Sequence, residues 1–141
     1  MRREPLDTVL RLRRHAVDDA RRSLTDSLVA ATAAEMTAQQ LQRDMQAETD
    51  RASDVSGGDS WVEAYAAWLP LARRRLDDAR CAQERQEAEV ARCRAELTAC
   101  RAAMQAVEAL IAANRAKLAE AREKVAQRGL DEAGARAGLD Q

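Results

Sequence analysis

The side chains able to carry chemistry are few in this chain, and their spacing argues against each common reaction in turn. Cys93 and Cys100 stand seven residues apart. On a helix their α-carbons are separated by about 10.5 Å, too far for two sulfurs to share one zinc ion. They read as small buried hydrophobes, with Cys81 on the outer face. His15 is the only histidine, and its register sets it opposite the apolar seam, facing solvent rather than acting as a base. No glycine-rich phosphate loop, G-x-S-x-G or H-E-x-x-H pattern occurs. The chain is therefore expected to be no enzyme, with no metal site and no cofactor.

What remains is chemistry of recognition. Arg11, Arg13, Arg14, Arg21 and Arg22 form a basic segment near the amino terminus, with Asp18 and Asp19 interleaved. Arg13 occupies a seam position where an apolar residue is expected. An arginine can cover apolar surface with its stem and keep its charge wet, which favours docking to an acidic partner over a plain solvated surface. Arg73, Arg74 and Arg75 resemble a nucleic-acid patch, but Asp77 and Asp78 follow at i+4 from Arg73 and Arg74 and predict a self-neutralised face. No aromatic platform for stacking bases accompanies them, so no nucleic acid is expected. All three aromatics, Trp61, Tyr65 and Trp68, fall within eight residues at spacings that share one helix face. Tyr65 is expected to pack, with Trp61 and Trp68 flanking it as partly exposed anchors of the kind that dominate binding hot spots.

These residues must be held by long helices. Val62, Leu69, Leu76, Gln83, Val90, Leu97, Met104, Ile111, Leu118 and Val125 are spaced seven apart, with only Gln83 polar. The positions three residues later run from Tyr65 through Cys93, Cys100 and Val107 to Arg128. This is a coiled-coil seam in one register. A thinner, alanine-rich seam precedes it: Leu10, Val17, Leu24, Ala31, Ala38, Met45 and Ala52, with companions from Leu6 and Arg13 to Glu48. Composition agrees, with 46% hydrophobic residues but only 2% aromatic ones and no Phe. Alanine, leucine, arginine and glutamate are strong helix formers.

The only strong breaker cluster inside the chain, Ser53 to Ser60, separates the two seams. The expected architecture is all-α: a single domain (1–141) forming a long antiparallel two-helix coiled-coil hairpin. Helix 1 spans about 5–53, the loop 54–59 and helix 2 about 60–128, opened by a Ser60–Glu63 capping box. Pro70 predicts a kink in helix 2, in preference to a short helix 60–68 followed by a turn. The glycine-bearing tail 129–141 is expected to fray. Folding about Gly57 sets Leu6 near residue 108, so helix 2 overhangs from about 108 to 128, roughly five turns. Its apolar stripe, Ile111, Leu118 and Val125, needs a partner, either a second copy or another protein.

The net charge of −1 hides an uneven distribution: residues 1–22 carry +3 and residues 23–59 carry −5. No stretch is apolar enough to span a bilayer, the opening Met-Arg-Arg-Glu-Pro lacks the apolar core of a signal peptide, and three cysteines suit a reducing compartment. A cytoplasmic location is expected.

The opening, Pro5-Leu6-Asp7-Thr8-Val9-Leu10-Arg11-Leu12-Arg13-Arg14-His15 through Asp18-Asp19-Ala20-Arg21-Arg22-Ser23-Leu24, resembles the FliJ/YscO family of stalk proteins from flagellar and virulence type III export machines. The family shares a Leu-x-x-Leu-x-Leu-Arg pattern, an acidic-x-x-Arg-Arg stretch and two long helices. The resemblance implies a hairpin similar to the rotor shaft of rotary ATPases. Its paired termini would enter the pore of the hexameric export ATPase and promote its activity. The hairpin end would face the export-gate membrane protein, and export chaperones would also bind. Carried onto this chain, the ATPase-facing residues would be Arg11, Arg13, Arg14, Arg21, Arg22, Arg115, Lys117, Arg122 and Lys124. The gate-facing ones would be Trp61, Tyr65 and Trp68. The protein would then sit peripheral to the inner membrane, held there by its partners. The competing expectation is a coiled-coil adaptor or homodimer that needs no ATPase.

Overall fold

The structure is a computed structural model and describes residues 5–54 and 58–140. It consists of two α-helices packed against each other as an antiparallel hairpin: α1, Pro5–Ser53, and α2, Gly58–Leu139. No strand occurs among the described residues. Both helices begin with an acidic residue in the first turn, Asp7 and Asp59, and end with a basic one in the last, Arg51 and Arg136, each complementing the helix dipole. Along α1 the hydroxyls of Thr25, Thr32, Thr37 and Thr49 donate to the carbonyls four residues earlier, so these residues sit in a helix without orphaned polar groups.

Two local expectations change, the start and the end of helix 2. The α2 helix opens at Gly58, whose φ of 71° lies in the left-handed region open to glycine. Ser60 therefore lies inside the first turn rather than capping it, and of the expected 54–59 loop, residues 55–57 lie outside the described residues. Helix 2 runs unbroken through Pro70, with no short helix 60–68. One lost hydrogen bond to the Ala66 carbonyl is outweighed by the strong helix formers and seam contacts on either side. The expected end at Arg128 is also overturned: Gly129 to Leu139 are helical. Three glycines cost about 1 kcal/mol each in a helix interior, but Ala, Leu, Glu and Arg surround them and no proline stops propagation.

Packing divides the chain into two compact units, residues 18–98 and residues 1–17 with 99–141. In the first, α1 presents small buried residues, Ala20, Ser27 and Ala38, and α2 presents Ala72, Leu76, Val90, Cys93 and Leu97. Alanine on one side allows close approach, while larger side chains on the other fill the space. The one buried polar side chain among the described residues, Ser27, donates to the Leu24 carbonyl at 2.8 Å. Gln83, the break in the α2 seam, is half-buried and turns its amide to Glu87 at 2.9 Å. Beside Cys93, Arg92 forks between Glu89 at 2.6 Å and Glu96 at 3.1 Å. Its hydrogen bond and charge hold the Glu89 carboxyl below the usual carboxylate range.

In the second unit, Val17 of α1 and Val107 and Ile111 of α2 are buried, with Leu6, Leu10 and Met104 half-buried around them. Arg14 and Glu108 face each other across the helices at 3.9 Å. Burial stops there. Every described residue of α2 beyond Ile111 is exposed, although the seam spacing continues through Leu118 and Val125. The unpaired part is residues 112–139, about 42 Å of helix and nearly eight turns. It exceeds the expected five turns because the glycine-bearing tail extends it.

Candidate docking surfaces

The basic segment of α1 splits into two kinds of residue. Arg11 and Arg13 are exposed and make no ion pair among the described residues, and Arg14 reaches only the distant Glu108 carboxylate. Arg13 is exposed at its seam position, so its charge is open to solvent. Arg21 and Arg22, by contrast, sit 3.6 Å from Asp18 and Asp19, three residues earlier on their own helix. Exposed pairs of this kind contribute little to stability, but they reduce the charge offered to a partner. Arg11 and Arg13 thus carry the free charge of the segment, with Arg14 held only loosely by Glu108.

On the projecting part of α2, Arg115, Lys117 and Arg122 are exposed without an ion pair among the described residues, while Lys124 lies 2.7 Å from Glu120. These residues flank Leu118 and Val125, which are 51% and 67% exposed. Arg11, Arg13 and Arg14 belong to the same compact unit as this projecting helix. That unit therefore offers an exposed apolar stripe bordered by cations, of which Arg11, Arg13, Arg115, Lys117 and Arg122 make no ion pair among the described residues.

A second surface lies beside the loop, within the other unit. Tyr65 and Trp68 are half-buried and stack with ring centroids 5.9 Å apart at 36°. The Tyr65 hydroxyl shares a hydrogen bond of 2.8 Å with Thr49, fixing the aromatic turn of α2 to the last turns of α1. Trp61 is 40% exposed. A groove of about 560 Å³ lies here, lined by Leu41, Met45, Trp61, Tyr65 and Trp68 together with the charged Asp44, Glu48, Arg51 and Arg75. Glu48 and Arg51 are paired at 2.6 Å. Val62, a seam residue by spacing, is 58% exposed, while Tyr65 and Trp68 of the same stretch are half-buried.

Of the other residues singled out, His15 and Cys81 are exposed and Cys93 is buried, as the register requires, whereas Cys100, expected to be buried, is half-buried. No group of metal-ligating side chains forms among the described residues. The self-neutralisation expected of Arg73 and Arg74 with Asp77 and Asp78 does not form: neither pair closes to 4 Å. An arginine four residues before an acid has the less favourable orientation of the pair. One exposed feature was missed from sequence. Val29 and Met36, seven apart and opposite the α1 seam, stand 65% and 62% exposed.

The family model of the flagellar FliJ protein matches residues 1–141, the whole chain. This chain belongs to the FliJ family. No curated protein and no solved structure matches it. As a FliJ-family member it is a component of flagellar or type III protein export, a class of structural parts rather than enzymes, and it associates with components of that apparatus. No described helix is long and apolar enough to cross a membrane.

Proposed function

We propose that this FliJ-family chain is the stalk of its export apparatus: it enters the hexameric export ATPase by its open end, promotes turnover, and links the ring to the export gate and to export chaperones. The observation that carries this reading is the unpartnered helix beyond Ile111, which shares a compact unit with the unpaired cations Arg11 and Arg13. An elongated, asymmetric element in a near-symmetric ring touches each subunit differently, and differential contact is what biases nucleotide-dependent states. The stalk itself hydrolyses nothing. Arg11, Arg13, Arg14, Arg115, Lys117, Arg122 and Lys124 would face the ring, with Arg21 and Arg22 contributing less because Asp18 and Asp19 hold them. The aromatic groove at Trp61, Tyr65 and Trp68 would take the gate protein. The working location is the cytoplasmic side of the inner membrane, reached through these partners.

Light scattering of the chain with and without its hexameric ATPase, with hydrolysis followed in parallel, tests the proposal. The expected result is one chain per ring and faster turnover. Arg11→Glu, Arg13→Glu and Arg14→Glu together should abolish stimulation and leave helicity intact. Trp61→Ala with Trp68→Ala should spare stimulation and weaken gate binding. A stable homodimer that ignores the ATPase would overturn the proposal in favour of a structural adaptor.

A further inference from the structure

The projecting part of α2 has the full grammar of one half of a coiled coil. Leu118 and Val125 continue the first seam position, and Ala121 the second. The residues bordering that seam are Arg115 and Arg122 on one edge and Lys117 and Lys124 on the other. All four are exposed, and both apolar anchors are more than half exposed. In paired helices these border positions choose the partner, because each lies against a border position of the facing helix. Of the two acids here, Glu123 lies on the opposite side of the helix and Glu120 pairs with Lys124 at 2.7 Å, which leaves Arg115, Lys117 and Arg122 without an ion pair among the described residues. Across residues 112–128 five basic residues stand against two acidic ones.

Two consequences follow from this arrangement. A second copy laid antiparallel on the stripe sets Arg against Arg and Lys against Lys; a parallel copy sets Arg against Lys. Either pairing juxtaposes like charges along the whole contact, which disfavours self-association. A helix with apolar seam residues and carboxylates at its borders meets three unpaired cations, Arg115, Lys117 and Arg122, with Lys124 shared with Glu120, and covers Leu118 and Val125. We infer that residues 114–128 form a docking seam for one acidic amphipathic helix of a partner protein, and that the same border charges exclude a second copy of this chain. This rests on reading the open end as the docking end, and it gives the chemistry of the surface received there: helical, apolar along one stripe and acidic on both edges.

The test uses synthetic helical peptides of about four heptads, one with Leu at the seam and Glu at both borders, the other with Lys at the borders. Each is labelled and titrated with the full chain, and anisotropy is read at low and high salt. The Glu peptide should bind and gain helicity, and the Lys peptide should not. The variant carrying R115E, K117E, R122E and K124E should exchange this preference, each reversed contact contributing to a change of about thirtyfold or more. The four positions are exposed and outside the packed seam, and circular dichroism checks that the hairpin persists. Failure of both peptides to bind, equal binding of both, or an unchanged preference in the variant would overturn the inference. No ATPase is present in this assay, so its outcome is separate from that of the stalk proposal. ATPase stimulation without peptide preference would remove the acidic-helix inference alone, and peptide preference without ATPase binding would remove the stalk alone.

Discussion

Ile111, Leu118 and Val125 occupy the same seam at the same spacing, yet truncating them should have very unequal consequences. Ile111 is 7% exposed, against 51% for Leu118 and 67% for Val125. Ile111→Ala removes three buried carbons at about 0.8 kcal/mol each, and part of the cavity left behind remains open. A two-helix layer relaxes more readily than a globular core, which sets the loss at about 2–3 kcal/mol, near the low end of the Ile→Ala range. At this chain length that is a fall in Tm of about 10 °C. Leu118→Ala and Val125→Ala remove surface that is already wet, so each should stay within about 0.5 kcal/mol, and Val125→Ala gains helix propensity. Thermal unfolding followed by circular dichroism at several protein concentrations measures all three. Equal losses at Ile111 and Leu118 would refute the reasoning. It would mean that the seam beyond Ile111 is covered in solution by another copy, and the loss would then grow with concentration.

The remaining expectations are simpler. Pro70→Ala restores a helical hydrogen bond to the Ala66 carbonyl in a continuous helix and should stabilise the protein by up to about 3 kcal/mol, read as a shift of the urea midpoint; a destabilised variant would show that the helix depends on the proline. Thr49→Val and Tyr65→Phe should each cost about 1 kcal/mol, and the double substitution should cost less than their sum, because each removes the same hydrogen bond. A thiol reagent should label Cys81 fastest, Cys100 more slowly and Cys93 only on unfolding, since these are exposed, half-buried and 2% exposed; rapid labelling of Cys93 would contradict the packed seam. Gly129→Ala with Gly134→Ala should raise helicity by ellipticity at 222 nm, because a methyl group at either position meets open space. No change would argue against a helix reaching Leu139.

Much of this hairpin was legible from spacing alone. A seven-residue repeat is a local property of one helix, so Val17, Leu76, Val90, Cys93 and Leu97 could be assigned to the interior before any contact was seen. The breaker cluster before Gly58 separated the two repeats, and the solvent-facing His15 and Cys81 followed from the same register. Helix ends were less legible. Gly129 is a stop signal in the sequence, whereas a helix already propagating passes isolated glycines at small cost. Pairing of charges was less legible still: Arg21 and Arg22 are held by acids on their own helix, and Arg73 and Arg74 are not.

By itself, then, the sequence determined two helices, which stripe each turns inward, and the break that lets them pair, because all of these repeat within one segment of chain. Only the tertiary structure decided where that stripe stops being buried. The apolar spacing runs unchanged from Ile111 through Leu118 to Val125, but burial needs an opposing helix, and which α2 residues α1 reaches is fixed by the axial register of the two packed helices, seen where Arg14 meets Glu108 and Thr49 meets Tyr65.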